Sequence, residues 1–200
     1  MAHQFEIDQV LKLLAEARRH SERDWLMILV AFLHALRASE VVGGVSTHTD
    51  KKTKVVTVAR HPGITSESIV GTKLKLARLK RSKPVEDDLL EHENSLLNER
   101  PALLALCRST PPKQRLFPMS ARTFQRRMHL YGEAAGLPEL YCHPHTLKHS
   151  ILSYLSEKMP LDKLQDRSGH VELGSLGIYL HPKKAVTERL VSDALASIGG

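Results

Sequence analysis

The sequence predicts a mainly α domain carrying one small antiparallel β-sheet, an α+β class. Three observations predict it. Apolar residues recur at helical spacing near the N-terminus and again from about residue 86 onward. Between them lies a short β-branched stretch. Capping and breaking residues stand where the texture changes.

The elements follow in order. Phe5 to Arg18 places Val10, Leu11, Leu13 and Leu14 among charges, the pattern of an amphipathic helix. Ser21 with Asp24 resembles a capping box. The helix it starts, from about Glu22 to Leu36, carries Trp25, Leu26, Ile28, Leu29, Phe32 and Leu33, so most of it is expected to be buried. Val41-Val42-Gly43-Gly44 reads as a breaker. Lys54 to Ala59 is β-branched and short, and His61-Pro62-Gly63 marks a turn. Ser68 to Leu79 alternates partly, with Lys73, Lys75 and Arg78 as polar partners. One sheet is therefore expected between residues 45 and 84, turning near Lys80 to Pro84. Glu86 to Leu106 reads as one or two helices broken near Pro101, and Pro111-Pro112 as a loop. Ser120 is a suitable N-cap for a helix ending near Gly136, with Pro138 beyond it. Further helices are expected at about 144–158, 160–168, 171–180 and 183–197.

Composition limits the function. The chain has 200 residues, 42% of them hydrophobic, which is ordinary for a globular protein and argues against disorder. The longest apolar stretch, Leu26 to Leu33, falls short of the roughly 18 residues that span a membrane. The opening MAHQFEID has no secretory pattern, so a soluble cytoplasmic protein is expected. Cys107 and Cys142 match no metal motif or disulfide framework and read as reduced thiols. A formal net charge of +7 favours a polyanionic partner, because Lys and Arg displace the counterions condensed on nucleic acid.

Four separated segments hold the chemistry. They are Ala35-Leu36-Arg37-Ala38-Ser39-Glu40, His143-Pro144-His145-Thr146-Leu147-Lys148-His149, Ser168-Gly169-His170 and Ile178-Tyr179-Leu180-His181. Each has an ordinary reading alone. Arg37 suits the negative end of the helix expected to finish at Leu36. His145 and Lys148 share a face near a helix start, where an anionic oxygen would sit well. His170 is a lone histidine in a turn, and Tyr179 an apolar-flanked tyrosine.

Their order and spacing say more. Together they resemble the tyrosine recombinase, or phage integrase, family. That pattern runs Gly-Leu-Arg-x-x-Glu, a hairpin lysine, His-x-Leu-Arg-His, Leu-Gly-His and a tyrosine nine residues later. Leu116-Phe117-Pro118-Met119-Ser120 and Ala134-Ala135-Gly136-Leu137 are similar to its linking region, so the resemblance spans about residues 5 to 185.

The resemblance implies the recombinase catalytic-domain fold and a site-specific recombinase or integrase acting on double-stranded DNA. Cleavage would proceed through a covalent 3′-phosphotyrosine and a free 5′-hydroxyl, with no metal and no ATP. Tyr179 would be the nucleophile. Arg37 would present a planar fork to two phosphate oxygens. Lys148 would add a second positive charge, and His145 and His170 would donate hydrogen bonds or manage the tyrosine proton. A hairpin lysine would protonate the leaving oxygen, with Lys80 fitting best and Lys83 or Lys75 next. Lys75, Lys83, Arg122, Arg126 and Arg127 are candidate DNA contacts. The expected assembly is a monomer in isolation and a homo-tetramer on DNA, with residues 183–200 reaching a neighbouring subunit and the protein nucleoid-associated when bound.

Two departures bear on this. Lys148 stands where the family has an arginine, keeping the charge but losing the bidentate fork. The chain is also expected to be a single catalytic domain over 1–200 without the family's N-terminal clamping domain. Two alternatives therefore stand beside the recombinase: a DNA-binding relative with weakened catalysis, and a type IB topoisomerase-like enzyme.

Overall fold

The computed structural model describes residues 4–49, 53–77 and 84–168. Its centre is a helix that water hardly touches. Helix α1 (Ile7–His20) turns Val10, Leu13, Leu14 and Ala17 inward. Ser21 accepts a hydrogen bond from the Asp24 N–H and starts α2 (Glu22–Leu33). Every residue of α2 from Asp24 onward is buried, against α1 on one side and α6 on another. Asp24 is not the reciprocal half of a capping box. Its carboxylate accepts the Tyr131 hydroxyl at 2.6 Å.

Helix α2 stops at Leu33 rather than Leu36. Ala35 adopts a left-handed φ of 50° and the Leu36 N–H donates back to the Ala31 carbonyl, closing the helix. Burial of Ala35 and Leu36 holds this turn, although it costs a non-glycine residue about 1–2 kcal/mol. The consequence corrects the sequence reading of Arg37. It does not lie at a helix C-terminus; it is the N-cap of a short helix, α3 (Ala38–Val42).

One continuous sheet over 45–84 was expected, and two separate ones form. Strands β1 (Gly44–Thr49) and β2 (Val56–His61) make an antiparallel ribbon with Gly44 opposite His61. Val45, Val56 and Val58 are exposed on one face of it. Strands β3 (Ile69–Val70), β4 (Lys73–Leu76) and β5 (Val85–Asp88) make the second sheet, in the order β3-β4-β5. Strand β5 overturns the expectation of a helix from Glu86. Its acidic residues hide a strand alternation in which Glu86 pairs with Lys75 across the sheet and Asp87 turns inward.

Helix α4 (Arg100–Ser109) accommodates Pro101 in its first turn, where a missing N–H costs nothing, so the proline starts a helix instead of breaking one. Helix α5 (Ala121–Ala134) is capped by Ser120 and buries Phe124, Met128 and Tyr131. A Cβ on Gly132 would collide with the Cys142 sulfur, so glycine lets α5 approach that loop. Helices α6 (Pro144–Ser156) and α7 (Leu161–Ser168) complete the described chain. The buried Phe5 N–H reaches the Ser150 hydroxyl on α6 at 2.8 Å. The helices expected at 171–180 and 183–197 lie outside the described residues. Among the described residues, no helix is long and apolar enough to cross a membrane.

Candidate active site

The early end of α2 shapes the site. It turns the chain so that Arg37 opens α3 at the rim of a cleft of about 700 Å³. Glu40 fixes this turn, accepting the Arg37 backbone N–H at 2.8 Å and its guanidinium at 3.4 Å. Opposite, α6 begins at the cleft with Pro144, His145 and Thr146, and α5 begins there with Ala121. The first turns of α3, α5 and α6 thus open onto one space, each presenting the positive end of its peptide dipoles. Arg37 and His145, more than a hundred residues apart in sequence, line the same wall-to-wall cavity.

The histidines there are poor bases. The His145 and His149 rings stand edge to face, 4.4 Å between centroids. Burial pushes the His145 pKa below the ordinary imidazole value, and the charges of Arg37 and Lys148 push it further down. His149 falls to about 4, through burial first, then His145 and Lys148. At neutral pH both rings are uncharged, so each carries one donor and one acceptor nitrogen. Arg37 supplies the permanent charge. The arrangement suits an anion bearing several oxygens: a fork, helix-end N–H groups and neutral imidazoles.

Two further groups line the cleft to which sequence reasoning gave no role, Gln125 and, within the second segment, His143. The Gln125 amide nitrogen meets His143 Nδ1 and lies 2.8 Å from His129 Nε2, joining α5 to the start of α6. Gln125 sits one helical turn inside α5 from Ala121, and His143 precedes Pro144. Both could have been found by projecting the helix starts. A second cleft of about 590 Å³ shares Ser39 and Ala121 with the first and is bordered by the exposed Arg115.

The other sequence candidates divide. Lys148 does not line the cleft. It is 1% exposed, and its ammonium donates to the Ser168 carbonyl at 2.7 Å. Lys75 is exposed on β4 and pairs with Glu86 at 3.5 Å. Arg122 and Arg126 are exposed on α5, whereas Arg127 turns to the Asp24 carboxylate at 3.3 Å. Tyr179, His170, Lys80 and Lys83 lie outside the described residues. Tyr131 is no rival nucleophile: burial and the Asp24 carboxylate raise its pKa to about 12. Among the described residues, no cluster of three or more His, Cys, Asp or Glu side chains is arranged to hold a metal ion.

Solved structures share this architecture. A XerA recombinase superposes with a TM-score of 0.67 at 16% identity, covering 97% of this chain and 64% of that one. A lambda integrase dimer bound to a COC′ core site gives 0.62 at 15% identity, covering 86% and 59%. The fold is that of the catalytic domains of tyrosine recombinases. The model of the phage integrase family matches residues 3–185, and the chain belongs to that family. Among characterised relatives, tyrosine recombinase XerD of Shewanella oneidensis is 29% identical over 189 residues, 91% of this chain and 58% of its own length. XerD of Vibrio vulnificus is 27% identical over 172 residues, covering 84% and 50%. The chain therefore spans little more than half the length of these relatives.

Proposed function

We propose that this chain is the catalytic domain of a site-specific DNA recombinase that cuts and rejoins a strand through Tyr179. The observation that carries the reading is the convergence of Arg37 and His145 on one cleft built from three helix starts. Attack on a phosphodiester gathers negative charge on the non-bridging oxygens, and preformed donors around them lower the barrier. Arg37 binds two of those oxygens, and His145, a neutral imidazole and a poor base, donates to a third. His170 completes the set, Lys80 protonates the leaving 5′-oxygen, and Lys75, Lys83, Arg122, Arg126 and Arg127 hold the flanking backbone. The 3′-phosphotyrosine conserves the bond energy, so no ATP or metal enters the reaction. DNA as partner is supported by the solved structures of lambda integrase on its core site and of XerH recombinase on difH substrate. In this reading residues 1–200 act as one catalytic domain in the cytoplasm, four copies assemble on DNA, and residues 183–200 join neighbours.

A second reading has its own support. The Lys148 ammonium, at the position of a family arginine, is buried and donates to the Ser168 carbonyl. A lysine held by a backbone carbonyl, in place of an arginine fork, fits a relative that holds DNA and cleaves it slowly.

One experiment decides. The protein is incubated with nicked duplexes of randomised sequence, denatured, and covalent adducts are recovered from a gel and sequenced. The recombinase reading expects an adduct that Tyr179→Phe abolishes. An adduct persisting in Tyr179→Phe sinks the nucleophile. Adducts that appear only after Lys148→Arg establish the weakened relative.

A further inference from the structure

Just ahead of Arg37 lies a buried cluster of charge that the proposed chemistry does not use. His34 caps the C-terminal end of α2 and is fully buried. Its Nδ1 lies 3.0 Å from the Asp87 carboxylate on β5, and its Nε2 lies 2.8 Å from Glu99, the residue that begins α4. Carboxylate oxygens only accept, so serving both at once requires an N–H on each ring nitrogen, which is the imidazolium. Burial disfavours that cation, but the Glu99 charge and the hydrogen bonds to Asp87 and Glu99 outweigh burial, and the His34 pKa is raised.

The cluster extends to a fourth element. Arg167 on α7 donates to the Leu33 carbonyl at 2.6 Å and approaches Asp87 at 3.9 Å. Glu99 in turn accepts the Leu90 N–H at 2.9 Å. Among the described residues, the charged groups facing His34 include Asp87 from β5, Glu99 at the start of α4 and Arg167 from α7. Two cations meet two anions, and the four side chains are drawn from four elements.

What these elements carry gives the cluster its meaning. The turn after His34 carries Arg37. Strand β5 directly follows, in sequence, the segment containing Lys80 and Lys83. Helix α7 ends at Ser168, whose carbonyl takes Lys148 and which precedes His170 by two residues. We infer that His34 is a positioning residue, an ionic clamp with Asp87, Glu99 and Arg167 that fixes the Arg37 turn, β5 and the end of α7 relative to one another. Its role in strand cleavage rests on the recombinase reading; the clamp itself does not.

The test uses Asp87→Asn, which keeps shape and removes one charge, and His34→Gln, which is uncharged and has its donors on a single nitrogen for acceptors on opposite sides. Leu103→Ala, in the buried face of α4 and away from the cleft, serves as a control that lowers stability by ordinary packing loss. Amide hydrogen exchange is followed at 34–40, 84–90 and 161–168. The clamp expects exchange at least tenfold faster in all three stretches together in both clamp variants, and not in Leu103→Ala. Faster exchange confined to the stretch bearing the substitution overturns it. On DNA that supports adduct formation, single-turnover cleavage at saturating substrate should fall at least tenfold while DNA affinity stays within twofold. Cleavage no slower than in Leu103→Ala overturns the positioning role. A wild-type protein that forms no adduct with any duplex counts against the recombinase reading, while exchange still decides the clamp.

Discussion

His34 and Arg37 are three residues apart, and their surroundings are opposite. Around His34, among the described residues, two carboxylates balance the ring and Arg167, and the ring and Glu99 are cut off from water. Around Arg37 one carboxylate, Glu40, faces a guanidinium, two neutral imidazoles and three helix starts. The first is a closed ion cluster that holds segments together. The second keeps an excess of positive potential at the mouth of a cleft, as a site awaiting an anion requires. A short stretch of chain thus divides support from chemistry, and a substitution on either side should break a different property.

The largest effect is expected on the support side. Removing one member of a buried ion cluster strands its partners, so His34→Ala should lower the unfolding free energy by about 3–5 kcal/mol. Urea titration reads this, and a loss below 1 kcal/mol would show that the cluster is not held as described. On the chemical side, Arg37→Ala should slow covalent adduct formation on the order of 10²–10³-fold, because it removes a donor aimed at developing charge, and should cost less stability than His34→Ala, because the buried Glu40 keeps the residue-37 backbone N–H. A loss of folding instead would move Arg37 into the support class.

Next comes pH, where the two regions pull in opposite directions. His34 holds its proton more tightly in the folded state than at its ordinary value of 6.5. Its stabilisation is full below 6.5 and is lost as pH rises through the folded value. His149 has its folded pKa lowered to about 4, so its cost appears as pH falls from 6.5 toward 4. Thermal unfolding across pH should show both limbs. His34→Gln should flatten the alkaline one and His149→Asn the acid one. A single shared limb would refute the assignment. The smallest effect belongs to the outer surface. Arg122→Ala and Arg126→Ala should each reduce the salt dependence of DNA binding by about one phosphate contact, leaving the cleavage rate on bound DNA unchanged.

Much of the architecture was legible because local signals agree with the fold. Ser120, the apolar stripe of Phe124, Met128 and Tyr131, and Gly136 defined α5 almost to the residue. The four-segment order singled out Arg37 and His145, which the structure brings to one cleft. Three features were hidden, each for a physical reason. The end of α2 depends on Ala35 taking a conformation that its own side chain disfavours, which only tertiary burial enforces. Strand β5 is acidic, and its alternation becomes visible only when Lys75 and His34 are seen to be its partners. Lys148 is a residue type that seldom leaves water, and nothing local indicates that the end of α7 supplies a carbonyl for it. The same hidden contacts account for the ion cluster, since His34, Asp87 and Glu99 are widely separated in sequence.

The left-handed turn at Ala35 has one more consequence, for how freely this site could be altered. The residue that aims Arg37 is held against its own preference, and glycine would adopt the same angle without strain. Ala35→Gly should therefore leave Arg37 where it is. It exchanges relief of strain in the folded chain for greater freedom in the unfolded one, two effects of similar size and opposite sign. A β-branched side chain at the same position would tolerate the angle far less well. The direction in which Arg37 enters the cleft thus depends on the smallness of the side chain two residues before it, and very little on that residue's chemistry.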